Sequence, residues 1–296
     1  MNISLIPIIT GATSTGKSEI VYSFLEDHPE YELVSADAFQ VYKGLNIGTA
    51  KPAAEILSRF SHHLIDILEH NQTYSAGSFV EDAEQAIGDI LSRGKLPIVV
   101  GGTGLYIECL RNGIFKQPIC PPELRVSILS ASKEDLYAEL VKVDPVSAAK
   151  INPNDKVRIA RAVEVYRAAG APISEAHKLF RGEAKFNYKL FIIEKDRERL
   201  YRDINLRTEK MLKSGWLDEV EELMKIGGSS SSPAFRAIGY KELAAVLEGA
   251  LALEKAKELI AQKTRNFAKR QLTWFRRLQG AIFVKRDEMP PLIRQF

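Results

Sequence analysis

The chain opens on Ile3-Ser4-Leu5-Ile6-Pro7-Ile8-Ile9-Thr10 and continues Gly11-Ala12-Thr13-Ser14-Thr15-Gly16-Lys17-Ser18. An apolar run short enough for one strand stops at a glycine and leads to Lys-Ser, matching the Gly-x-x-x-x-Gly-Lys-Ser/Thr phosphate-loop template at every fixed position. Gly11 and Gly16 permit backbone angles and close approach that a Cβ would forbid, so successive amides can turn toward one anion. Lys17 adds a positive point charge. Ser18 offers a hydroxyl to a Mg²⁺ shared with the phosphates, and a helix over Glu19–Leu25 points its positive end at the same place. A ligand-free strand-to-helix turn would have no packing use for Lys17-Ser18. Which phosphate compound is held stays open at this point.

At 296 residues, with 45% apolar and 27% charged residues and a net charge of +3, the composition is that of a globular chain with a sizeable core. The charge is unevenly placed. From Gln262 to Arg286 there are eight Lys or Arg and no Asp or Glu, a block that suggests a polyanion partner. The two cysteines, Cys109 and Cys120, make neither a metal spacing nor a disulfide framework, so a cytoplasmic location is expected. No segment reaches the roughly 18 to 20 apolar residues that span a bilayer, so no membrane partner is expected.

Along the chain, Glu32–Ala36 reads as a second strand delivering Asp37 to its C-terminal end, the edge where open parallel sheets bind ligands. Asp37 serves equally well there as a group facing the loop, a helix cap or a carboxylate behind Mg²⁺. His62-His63 has no third ligand at a usual spacing, which favours a structural role. Ser78 is expected to cap a helix ending at Arg93, with Gly94 beyond it. Leu96–Val100 forms a third strand and empties into a second glycine-rich turn, Gly101-Gly102-Thr103-Gly104-Leu105-Tyr106, where Thr103 is the side chain able to donate to a ligand. Asn152-Pro153-Asn154-Asp155 introduces a helix with Arg158 and Arg161 on one face, suited either to phosphate or to solvent. Lys189–Glu194 and Ala281–Lys285 supply strands four and five. Between them lie a helical stretch over Asp196–Ile226 and a flexible Gly227–Pro233 linker. A last helix, Leu259–Leu278, interleaves basic and aromatic residues, a pattern that suits single-stranded or looped RNA.

Together these stretches resemble the bacterial-type tRNA dimethylallyltransferases, also called tRNA isopentenyl transferases. The matching segments are the loop Gly11–Ser18, Ser35–Tyr42, Gly48–Pro52, His62–Asp66, Gly101–Tyr106, Pro153–Asp155 with Arg158 and Arg161, Ala237–Glu242 and Ala268–Arg276. Ala12 stands where that family usually has proline. The resemblance implies an α/β fold, a phosphate-loop NTPase-like parallel sheet core flanked by helices, with a mainly helical insertion. By strand counting the core takes residues 1–196 and 262–296 and the insertion 197–261, with 120–150 as an alternative lid.

The resemblance further implies transfer of the dimethylallyl group of dimethylallyl diphosphate to N6 of adenosine 37 in a tRNA anticodon stem-loop. Diphosphate would sit on Gly11, Ala12, Thr13, Ser14, Thr15, Gly16, Lys17 and Ser18, with Mg²⁺ on Ser18. Asp37 becomes the general base, and Thr103 and Arg236 act beside the leaving group. Contacts to tRNA would come from Ala38, Phe39, Gln40, Arg125, Arg158, Arg161, Lys241, Lys269, Arg270, Arg276 and Arg277. A monomer is expected. The competing readings are a small-molecule or nucleotide kinase, an isopentenyl transferase acting on free adenine nucleotides, and a nucleotide-gated RNA-binding switch.

Overall fold

The opening run forms β1, Ile6–Gly11, with all its residues buried. In the computed structural model, which describes residues 5–114, 120–179 and 182–294, β1 lies inside a six-stranded sheet. The others are β2 (Tyr31–Ser35), β3 (His62–His63), β4 (Leu96–Val100), β5 (Tyr188–Ile193) and β6 (Ile282–Val284), in the order β3-β2-β4-β1-β5-β6. Every pairing is parallel, with Ile8 against Val99 and Leu190, and Leu33 against Ile98. Burial on both faces explains why these strands read as continuous apolar runs with no alternation. On one face, Ile9, Leu33, Ile98 and Phe191 pack with Val21 and Phe24 of the helix Lys17–Leu25.

Five strands were expected and six are present among the described residues. The added one is the edge pair His62–His63, too short to show any period. Its histidines are structural: His62 Nδ1 bonds the Phe60 carbonyl at 2.7 Å and His63 Nε2 bonds Glu32 at 2.8 Å. Ser75, and not Ser78, caps the helix Ala76–Ser92; its Oγ accepts from the Ser78 N–H at 3.0 Å, the residue expected as the cap being the donor. The stretch 196–226 forms two helices, Arg197–Lys213 and Trp216–Lys225, broken at Gly215, whose φ of 93° no ordinary helix residue adopts. The Gly227–Pro233 linker is folded onto the preceding helix, with Gly228 N–H on the Leu223 carbonyl and Ser232 buried. The final long helix runs Leu253–Phe275.

The chain divides into two compact units, Asn112–Ala184 and the remainder. The boundary therefore falls elsewhere than 197–261. Those residues share an apolar cluster with the loop after β2, where Val41, Tyr42 and Leu45 pack with Trp216, Val220, Phe235, Tyr240, Leu243 and Ile260. They thus belong to the sheet-containing unit. The second unit encloses the alternative range 120–150 and has its own core of Ile128, Leu136, Leu140, Ile159 and Val163. Asp144 stitches it by accepting from Ser147 N–H, Ser174 N–H and Ser174 Oγ at 2.8–2.9 Å.

Candidate active site

The C-terminal ends of β1, β2 and β4 converge because these strands are neighbours. At the end of β1 the loop Gly11–Ser18 folds back on itself. Thr15 Oγ1 and Lys17 Nζ both donate to the Ala12 carbonyl at 2.9 Å, and Lys17 also reaches the Gly11 carbonyl at 2.9 Å. Ala12 is fully buried against Leu200, Ile204 and Ala268, so a small side chain fits this position. Ser14 takes a left-handed φ of 62°, a strained conformation for a residue with a Cβ, in keeping with a loop shaped around a ligand. Gly16, at φ 87°, leads into the helix that starts at Lys17, whose first-turn N–H groups have no intrahelical acceptor. They are available to an anion.

Asp37 follows β2. No helix begins there: its Oδ1 accepts from the Phe39 N–H at 2.9 Å and the Gln40 N–H at 3.2 Å, so the carboxylate ties a turn and does not cap a helix. Its Oδ2 has no hydrogen-bond partner among the described residues. From β4, Thr103 Oγ1 accepts from the Ala38 N–H at 3.0 Å and leaves its own proton free to donate. A Cβ on Gly101 would lie 2.1 Å from the Ala36 carbonyl oxygen, so only glycine lets the two strand ends close.

Two residues that the sequence did not single out complete this arrangement. Arg207, from the helix Arg197–Lys213, brings Nη1 to 3.5 Å from Thr13 Oγ1. Burial lowers its pKa, with Asp37 opposing. Burial, then the Arg207 charge, pulls the Lys17 ammonium from 10.5 down to about 8, again against Asp37. Lys17, Arg207 and Asp37 thus share one electrostatic site. Arg207 also lines a cavity of about 630 Å³ with Ile47, Lys51, Asp66 and Met211. The second residue is Gln271, whose Oε1 accepts from the Thr13 N–H at 2.9 Å and whose Nε2 donates to the Gly102 carbonyl at 2.8 Å. Both contacts cross most of the chain, so no local pattern announces them.

The other expected residues fall into groups. Arg236 is exposed at the end of the turn Pro233–Arg236; its charge reaches the Tyr42 hydroxyl, and it makes no hydrogen bond or ion pair among the described residues. Gln40 does not offer a free amide. It donates to the Thr49 and Ala50 carbonyls at 3.3 and 3.2 Å and accepts from Ser35 Oγ at 3.2 Å. Phe39 packs against the apolar cluster around Tyr240, Ala38 is half-buried and Lys241 is exposed. Lys269, Arg270, Arg276 and Arg277 are exposed and carry no ion pair among the described residues. In the second unit Arg125, Arg158 and Arg161 are exposed, with Arg158 paired to Asp155 and Arg161 to Glu164.

The loop after Gly44 is held by a carboxylate that no local sequence pattern marks. Glu219 accepts from the N–H groups of Asn46, Ile47 and Gly48 at 2.8, 2.7 and 3.1 Å and from the Tyr240 hydroxyl at 2.7 Å. Trp216 closes on Gly48 so tightly that a Cβ there would lie 2.2 Å from its Nε1.

For a metal ion, the described residues contain no cluster of three or more His, Cys, Asp or Glu, but Ser18 stands exposed in the first turn of the helix after the loop. A hydroxyl beside phosphate oxygens is the hard-oxygen setting that Mg²⁺ accepts. Burial pushes the hydroxyl of Tyr22, one turn on in the same helix, up to about 12.

The chain is similar to known proteins over most of its length. The sequence profile of the IPP transferase family matches residues 40–278. A tRNA dimethylallyltransferase 1 of Citrifermentans bemidjiense is 45% identical over 273 residues, covering 90% of this chain and 88% of the relative. A tRNA dimethylallyltransferase of Thermotoga neapolitana is 39% identical over 298 residues, 97% of this chain and 96% of the relative. Among solved structures, a tRNA isopentenylpyrophosphate transferase of Bacillus halodurans superposes with a TM-score of 0.72 at 31% identity, over 99% of this chain and 95% of that one. Crystallographic snapshots of a eukaryotic dimethylallyltransferase acting on tRNA give 0.84 at 27% identity, over 99% of this chain and 77% of the other.

Proposed function

This chain belongs to the IPP transferase family, as a tRNA dimethylallyltransferase, and from that premise we propose that it alkylates N6 of adenosine 37 in the tRNA anticodon loop. The observation that carries the residue assignment is the meeting of Lys17 at the start of the helix after the loop, Asp37 beyond the end of β2 and Arg207 from within the helix Arg197–Lys213. The diphosphate of dimethylallyl diphosphate lies on Gly11–Ser18, where its charge separates and satisfies Lys17 and Arg207. N6 attacks C1 of the allyl group. The N6–C1 bond forms, the C1–O bond breaks, its electron pair leaves on diphosphate, and the N6 proton passes to Oδ2 of Asp37. Charge grows on the leaving oxygen as the bond breaks, so Lys17, Arg207 and the loop amides bind the transition state more strongly than the ground state. Thr103, with its proton free, donates near the breaking bond. Mg²⁺ held on Ser18 would supply further neutralisation of the diphosphate.

The target base has to leave its stack for N6 to be reached. Exposed Lys269, Arg270, Arg276 and Arg277, with Lys241 and the arginines Arg125, Arg158 and Arg161 of the second unit, are the contacts proposed for the RNA backbone, and Arg236 is proposed beside the leaving diphosphate. One chain is the working unit of the proposal, and a cytoplasmic location goes with it; no helix among the described residues is long and apolar enough to cross a membrane. A kinase or a transferase to free adenine nucleotides is not favoured, because the relatives are named for tRNA. Incubation with labelled dimethylallyl diphosphate, Mg²⁺ and unmodified tRNA should place label in the RNA. Label on free nucleotide, or ATP consumption alone, would sink the proposal.

A further inference from the structure

The two glycine-rich turns that wall the site are joined beyond the end of the sheet by one side chain from a distant helix. At the sheet edge itself, Thr10 Oγ1 donates to the Gly101 carbonyl at 2.7 Å. Farther out the tie is Gln271, 6% exposed, bonded at 2.9 Å to the phosphate loop and at 2.8 Å to the second turn. Its amide orientation is set by its partners, since Thr13 offers an N–H and Gly102 a carbonyl; reversed, both contacts would be mismatched. The fit is close, because a Cβ on Gly102 would stand 2.7 Å from Gln271 Nε2. One helical turn on, Trp274 lies against Gly104, where a Cβ would be 2.7 Å from Cδ1. The bond to Gln271 also removes the Thr13 N–H from the groups available to an anion.

The phosphate loop holds the leaving group, while the second turn holds the base, through Thr103 Oγ1 and the Ala38 N–H next to Asp37. Displacement at C1 needs nucleophile, carbon and leaving oxygen in line, and a misplacement of about 1 Å can cost ~10²-fold in rate. We propose that, in the transfer reaction above, Gln271 is a positioning residue that fixes the distance between the diphosphate cradle and the glycine-rich turn whose Thr103 braces the turn of Asp37. Its two polar contacts are both to backbone.

Gln271→Met keeps the length and removes both bonds; Gln271→Glu keeps the acceptor for Thr13 and turns a carboxylate toward the Gly102 carbonyl. The measurements are kcat and KM for dimethylallyl diphosphate, the Kd of inorganic diphosphate with Mg²⁺ by calorimetry, and the thermal midpoint. In Q271M, kcat should fall roughly tenfold or more, while the diphosphate Kd stays within about threefold of the parent or tightens as the Thr13 N–H is released. A parental kcat overturns the role. So does a loss of diphosphate affinity in step with kcat, which would mean that the loop has simply lost its shape. If Q271M does not fold, Q271E is judged by the same split. An unsubstituted protein that transfers nothing would overturn the reaction itself, whereas a working parent with a normal Q271M would overturn only the role of Gln271.

Discussion

At Asp37 one carboxylate oxygen is committed to the Phe39 and Gln40 amides and the other has no partner among the described residues. That division lets a single side chain be both anchored and reactive. Asparagine can keep the anchoring oxygen while losing the proton acceptor, whereas alanine loses both. Asp37→Asn should therefore lower kcat by roughly 10²- to 10⁴-fold with tRNA affinity nearly unchanged, and Asp37→Ala should in addition loosen the turn. Equal losses of kcat and of tRNA binding in the asparagine variant would make Asp37 structural. Asp37 was legible because it follows a recognisable strand, and the phosphate loop because its determinants are contiguous. Arg207 was not, since it is one of several basic residues on its helix and its partner Thr13 is 194 positions away. Gln271 carries no charge and its two bonds span 258 and 169 positions, so only the fold reveals it.

The loop Asn46–Gly48 has no hydrophobic period and no regular structure, yet it is fixed, because Glu219 gathers three successive N–H groups on one carboxylate. The loop in turn presents the Thr49 and Ala50 carbonyls to Gln40, whose own N–H rests on Asp37. Glu219→Gln puts an amide NH₂ where an acceptor is required. We expect the Asn46, Ile47 and Gly48 amides to exchange roughly 10- to 100-fold faster, matching the loss of about 1 to 3 kcal/mol for a charge-assisted acceptor. Unchanged exchange would show that Trp216 and Tyr240 hold the loop without it. Toward the edge of the sheet, Arg93 bonds Glu32 through Nη1 and Nη2 at 2.6 and 2.7 Å and, with His63, holds its carboxyl at about 2 instead of 4.5. Because the folded value is the lower one, this stabilisation is complete above about pH 4.5 and disappears as pH falls toward 2. It amounts to at most about 3 kcal/mol, reduced by solvent screening at Arg93, which is 44% exposed. Urea midpoints should fall steeply across that window in the parent and less steeply in Glu32→Gln; parallel curves would remove Glu32 from the acid transition. Neither carboxylate was visible in the sequence, since each acts through partners on other elements.

Across the whole chain, the parallel sheet was legible because buried strands are apolar runs of fixed length, but the division into units was not. The second unit is built from helices with mixed, polar faces that bury a few residues each, such as Ile128 on Pro122–Ser130 and Leu136 and Leu140 on Lys133–Val143. The helices over 197–261, which looked separate, are drawn into the first unit by the apolar loop Val41–Leu45. Both units display arginines proposed to meet the RNA, and ion pairing distinguishes two sets among them. Arg158 and Arg161 already face Asp155 and Glu164 on their own helix, whereas Lys269, Arg270, Arg276 and Arg277 have no acidic partner among the described residues. Counterion release scales with the phosphates neutralised, so the unpaired set should contribute more of the salt dependence of tRNA binding. Replacing all four by alanine should flatten the slope of log K against log salt by up to about 3, at roughly 0.7 for each phosphate that is no longer neutralised. Arg158→Ala with Arg161→Ala should change it by less than half as much, because Asp155 and Glu164 then lose their partners and oppose the RNA only weakly through solvent. A larger change from the Arg158 and Arg161 pair than from the four basic residues would move the principal RNA contact to the second unit and leave the Leu253–Phe275 helix only its seat on the two glycine-rich turns.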